Sequence, residues 1–142
     1  MSRPRRVLYV SGTRADFGLM RRTLVAIAAD PRLELGVAVT GMHLLPAYGN
    51  TVAEIEAAGL PVVARIPVAL DGSGGGAMAR AMAAQLDGLV TACQQWQPEL
   101  LLLLGDRGEM LAGALAAVHL GIAVAHIHGG ERSGTVDESL RH

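Results

Sequence analysis

The chain has 142 residues, of which 51% are hydrophobic and only 3% aromatic, so a single core must be packed from Ala, Val, Leu, Ile and Met. A formal charge of −1 gives no electrostatic case for nucleic acid or an anionic membrane surface. All 12 basic residues are arginine, which excludes a lysine nucleophile or Schiff base and leaves planar forks suited to phosphate and carboxylate.

Taken in order, residues 7–10 form a short apolar run stopped by Ser11-Gly12, a first fully buried strand. Asp16 is placed to cap a helix over about 17–29, with Leu19, Met20, Leu24, Ile27 and Ala28 on one face. Residues 33–40 read as a second strand, released at Gly41 into a polar loop over 42–50. Thr51 is expected to cap a short helix closed by Gly59. Residues 61–68 then form a third strand, and 71–76 (DGSGGG) a flexible loop suited to a lid. A long helix over 77–96 carries Met78, Met82, Leu86, Leu89 and Val90 as core. The most apolar run, 100–104, is a fourth strand; 109–120 is helical and 122–127 a final strand. Strands alternating with helices predict a Rossmann-like α/β fold, a parallel sheet covered on both faces.

Two of these strands empty straight into glycines, acids and imidazoles: Gly105-Asp106-Arg107, and His126-Ile127-His128-Gly129-Gly130-Glu131. Ligands bind at the carboxyl ends of strands in such sheets. The first turn, Ser11 to Asp16, offers backbone amides, a helix N-terminus and Arg14 to an anion. It departs from the dinucleotide fingerprint, with Gly12 and Gly18 six apart and Arg and Asp between, which disfavours NAD. Asp106 is either a cap for the next helix or a reacting group, and Arg107 beside it suits a phosphate. His126 and His128, two apart on a strand, would share a face. That is also a metal-ligand spacing, which His142, Asp106 and Asp137 could complete, although the bland reading keeps His126 as a satisfied structural residue. In a helical 137–142, Asp137 would neighbour Arg141 and Glu138 would neighbour His142.

Four blocks together resemble the hydrolysing UDP-N-acetylglucosamine 2-epimerases of the sialic and legionaminic acid branch. They are Gly12-Thr13-Arg14-Ala15-Asp16-Phe17; Thr40 to Leu44 with Tyr48 to Thr51; Gly105 to Met110; and His126 to His142. The resemblance implies the first domain of a two-domain, B-type glycosyltransferase architecture, with a second nucleotide-binding domain beyond this chain. On that expectation the 142-residue chain alone is inactive or needs a partner, and the full protein is a homo-oligomer.

The resemblance further implies loss of UDP from C1 as the C2 proton leaves, then hydration of the resulting glycal. Asp106, His128, Asp137 and Glu138 would be catalytic. Arg14, Asp16, His43, Arg107, Glu131, Ser133, Arg141 and His142 would bind substrate, with no metal and no cofactor. At position 128 better-known members carry glutamate, and imidazole can move protons near neutral pH. The first-choice substrate is UDP-N-acetylglucosamine; UDP-N,N′-diacetylbacillosamine is the alternative. A metal-dependent hydrolase and a non-catalytic binding half are readings from other classes. A lone cysteine, Cys93, and the absence of a leader or spanning run point to a cytoplasmic protein.

Overall fold

The computed structural model describes residues 3–45, 51–68 and 74–129. They form β1 (Arg5–Ser11), α1 (Arg14–Ala29), β2 (Leu33–Thr40), a one-turn 3-10 helix (Gly41–Leu44), α2 (Val52–Ala57) and β3 (Val62–Ile66). After these come α3 (Gly75–Trp96), β4 (Leu100–Leu104), α4 (Gly108–Leu120) and β5 (Ala123–Ile127). The five strands make one parallel sheet in the order β3-β2-β1-β4-β5.

Side-chain alternation explains how the sheet is covered. Val7 and Tyr9 of β1 pack with Phe17, Met20 and Leu24 of α1 and with Ile55 of α2. Leu8 and Val10 project to the other face, onto Leu89 and Cys93 of α3 and Met110 and Ala116 of α4. With helices on both sides, the leucines of β4 are buried at every position after the first, which is why the strand reads as an unbroken apolar run.

The chain winds from β1 outward to β3, then crosses back through α3 to place β4 on the other side of β1. The carboxyl ends of β1 and β4 therefore flank the point where the winding reverses, the usual position of a ligand crevice in an open α/β sheet.

The expected strands and helices are all present, with three local corrections. α1 starts at Arg14 rather than 17, because Thr13 is its N-cap and Asp16 lies inside its first turn. Thr51 makes no capping bond to α2, since its hydroxyl meets a histidine ring instead. Residues 71–73 of the glycine loop lie outside the described residues, while Gly75 and Gly76 already belong to α3. The expected core faces shift as well. Leu19 is 77% and Met78 54% exposed, whereas Phe17 and Gln85 are buried.

Candidate functional site at the sheet's carboxyl edge

The first turn is organised by one carboxylate. Asp16 Oδ2 accepts the backbone N–H groups of Gly12 at 2.9 Å and Thr13 at 2.7 Å, and Thr13 Oγ1 lies 3.2 Å away. Oδ1 accepts the hydroxyls of Tyr9 at 2.9 Å and Ser11 at 2.6 Å. Thr13 Oγ1 in return accepts the Asp16 N–H, which completes a capping box. Amides that a dinucleotide-binding turn would present to phosphate are thus already used by the protein's own carboxylate. Asp16, expected as a substrate contact, is buried, and its carboxylate organises the turn.

His43 is drawn into the same network. Its Nε2 lies 2.7 Å from Ser11 Oγ and its Nδ1 2.7 Å from Thr51 Oγ1. Ser11 has one proton, and the acceptor-only carboxylate at 2.6 Å claims it. His43 therefore donates through Nε2 to Ser11 and accepts at Nδ1 from Thr51. The ring is fully buried, and burial pushes its pKa down despite the opposing Asp16 charge, a hydrogen bond to the Thr13 backbone and the charges of Glu54 and Glu109, so it is neutral at pH 7. Burial, reinforced by the Asp16 charge and hydrogen bond, pushes the Tyr9 phenol well up. His43, expected to bind substrate, lies fully buried in this structure with both ring nitrogens engaged.

A residue that sequence reasoning missed stands at the centre of the crevice floor. Glu109, in the first turn of α4, is 5% exposed. Its carboxylate occupies the gap between the ends of β1 and β2. A Cβ on Gly12 would come 2.7 Å from Oε1, and one on Gly41 would come 3.1 Å from the same atom. Arg107 Nε lies 3.3 Å from Oε2 and 3.4 Å from Oε1. The signal was present in Gly12 and Gly41, the two small residues that leave room for it.

On the other flank, Gly105 takes a left-handed φ of 85° and turns the chain out of β4, leaving Asp106 half-buried at its end. Asp106 precedes the N-cap position of α4, which is Arg107. The Gly105 N–H donates to the Ile127 carbonyl, which ties the ends of β4 and β5 together. Because a carbonyl can only accept, His126 donates through Nε2 to Gly105 O, 2.5 Å away. A Cβ on Gly129 would collide with the same ring. His128 lies beyond the strand at φ 61°, so strand alternation does not align it with His126. The shared face expected of this pair is replaced by a turn, and His126 is exposed, with its ring satisfied by the Gly105 carbonyl.

Arg14, Asp106, Arg107 and His128 thus sit at the same end of one sheet, following β1, β4 and β5. Arg14 is largely exposed and paired with Glu54 at 3.2 Å, a surface contact weak enough to exchange for a phosphate. Glu131, Ser133, Asp137, Glu138, Arg141 and His142 lie outside the described residues.

Residues 25–142 match the family model described as UDP-N-acetylglucosamine 2-epimerase. The chain belongs to the UDP-N-acetylglucosamine 2-epimerase family. Within it, the chain is 51% identical over 138 residues to the UDP-N,N′-diacetylbacillosamine 2-epimerase (hydrolyzing) of Legionella pneumophila, covering 97% of this chain and 37% of the relative. It is 36% identical over 138 residues to the UDP-N-acetylglucosamine 2-epimerase of Neisseria meningitidis serogroup B, covering 97% and 36%. The solved Neisseria meningitidis epimerase bound to UDP-GlcNAc superposes with a TM-score of 0.80 at 19% identity, over 96% of this chain and 36% of that one. The fold is therefore that of the Rossmann-like first part of these B-type glycosyltransferase-like epimerases. The chain spans little more than a third of the length of the relatives it matches. No helix among the described residues is long and apolar enough to cross a membrane.

Proposed function

We propose that this chain is the first domain of a hydrolysing nucleotide-sugar 2-epimerase acting on UDP-N,N′-diacetylbacillosamine in the cytoplasm. The 51% identity to an epimerase of that description, against 36% for the UDP-N-acetylglucosamine enzyme, carries the choice of sugar. It reverses the order of preference drawn from sequence alone.

The chemistry asks for acids and bases at C2 and cations at the leaving diphosphate. Asp106, at the carboxyl end of the most buried strand, suits proton transfer, with Asp137 as its counterpart. His128 takes the place of a glutamate, and Glu138 serves the same acid–base group. Arg14 and Arg107 meet the diphosphate, while Glu131, Ser133, Arg141 and His142 bind the sugar and nucleotide. A second domain closes over the nucleotide, and the full-length enzyme works as a homo-oligomer. UDP departs from C1 as the C2 proton is abstracted. Water then adds across the glycal, placing hydroxyl on C1 and a proton on the opposite face of C2.

The test uses the full-length gene product, offered each UDP-sugar separately in D2O and in H2(18)O. The reading expects free 2-epimerised sugar carrying deuterium at C2 and heavy oxygen at C1, faster with the diacetamido substrate. Equal or faster turnover of UDP-N-acetylglucosamine would return the sugar to that first choice from sequence. Product that keeps UDP attached would refute hydrolysis.

A further inference from the structure

Glu109 has no part in the chemistry above, yet its surroundings demand a reason. A carboxylate almost wholly out of water is costly unless a partner compensates it. The two glycines packed on it, Gly12 and Gly41, end different strands, and either one with a side chain would press on Oε1. Three strand ends therefore meet at this carboxylate: β1 through Gly12, β2 through Gly41 and β4 through its own helix. Its cationic neighbour is Arg107, which is 46% exposed at the side chain and approaches through Nε. An arginine held by Nε keeps the two terminal nitrogens of its fork for another bidentate anion.

We propose that Glu109 is a positioning residue that fixes the Arg107 guanidinium for the diphosphate of the nucleotide sugar. This rests on the functional reading above, because it takes the anion from that reading. Long side chains lose rotamer freedom when they bind. A buried carboxylate anchored under two strand ends removes that cost before the ligand arrives, while the exposed Arg14–Glu54 pair leaves Arg14 to adapt.

The experiment is a double-mutant cycle in the full-length gene product: Arg107→Gln, Glu109→Gln and both together. UDP affinity is measured by calorimetry at several salt concentrations, alongside kcat, KM and melting temperature. Glu109→Gln should weaken UDP by about tenfold, the scale of one charge-assisted contact, and raise KM more than it lowers kcat. In the Arg107→Gln background it should cost nothing further, and both single variants should flatten the salt dependence alike. Unchanged UDP affinity in Glu109→Gln overturns the proposal. So does an equal loss in both backgrounds, which would make Glu109 a structural support independent of Arg107.

Should Glu109→Gln fail to fold, Glu109→Asp shortens the reach toward Arg107 while keeping the charge, and Gly12→Ala displaces the carboxylate from the opposite side. Each is combined with Arg107→Gln in the same way: a loss of UDP affinity confined to the Arg107 background supports the proposal, and no loss or an equal loss overturns it. A wild-type protein that binds no UDP removes the functional reading together with this one, whereas a defect missing from the variants alone removes only the role of Glu109.

Discussion

The Ser11 hydroxyl lies 2.6 Å from Asp16 Oδ1, and this contact sets the direction of every bond behind it. With its proton committed to the carboxylate, Ser11 can only accept from His43, and His43 can only accept from Thr51. The turn after β1 is thus wired to the loop after β2 through a neutral imidazole. The same carboxylate fills the helix N-terminus from within, so on the proposed function the diphosphate is left to the arginines on the rim.

Asp16→Asn should destabilise the protein by roughly 3 kcal/mol in urea unfolding, within the range for a buried donor left facing donors. Oδ1 receives the Tyr9 and Ser11 hydroxyls, and Oδ2 receives the Gly12 and Thr13 amides. With its NH2 on the Oδ2 side the new amide confronts two backbone N–H donors; turned the other way, it forces the Tyr9 and Ser11 hydroxyls to accept and so gives up the proton that Ser11 commits to the carboxylate. A midpoint unchanged from wild type would mean that the turn does not depend on this network.

Stability should fall on acidification through the His43 ring. Its folded pKa lies below the ordinary histidine value of 6.5 because it is buried, so below that pH the unfolded chain takes up a proton that the folded chain refuses. The unfolded state then binds more protons, and unfolding free energy rises with pH in the window from the lowered folded pKa up to about 6.5. Above 6.5 the contribution is complete. His43→Gln should flatten the slope below about pH 6.5 relative to wild type; a difference curve with no slope there would dismiss His43 as its source.

Asp106→Asn should reduce turnover by at least about hundredfold, the lower scale of a positioned acid or base, in a protein whose melting temperature is little changed. The isostere keeps the shape at the end of β4 and removes the charge. Steady-state release of UDP checks it, and activity retained within a few-fold would take Asp106 out of the mechanism.

His128→Gly separates strain from chemistry. A histidine at φ 61° carries a backbone cost of about 1 kcal/mol that glycine avoids. The variant should therefore hold or gain up to about 1 kcal/mol in stability while turnover drops. A variant that is both less stable and fully active would contradict the catalytic reading of this turn.

Composition and periodicity were enough to reveal the layers. Five leucines in a row at 100–104 suit a strand covered on both faces, and the Gly105 and Ser11-Gly12 breaks marked where strands end. The identities of Arg14, Asp106, Arg107 and His128, and their placement at strand ends, were legible in the same way, because both depend on local order along the chain.

Which of the polar residues turned inward was not legible, since that depends on partners far apart in sequence. His43 looked like a rim histidine until Ser11, 32 residues away, was seen to engage its Nε2. Asp16 read as a helix cap, and only the closed turn showed two amides and two hydroxyls aimed at its carboxylate. Glu109 looked like an ordinary first-turn acid; it became central once the crossover through α3 set β4 beside β1 and brought Gly12 and Gly41 over its carboxylate. Hydrophobic pattern is encoded residue by residue, but the burial of a polar group is a property of the assembled strand ends.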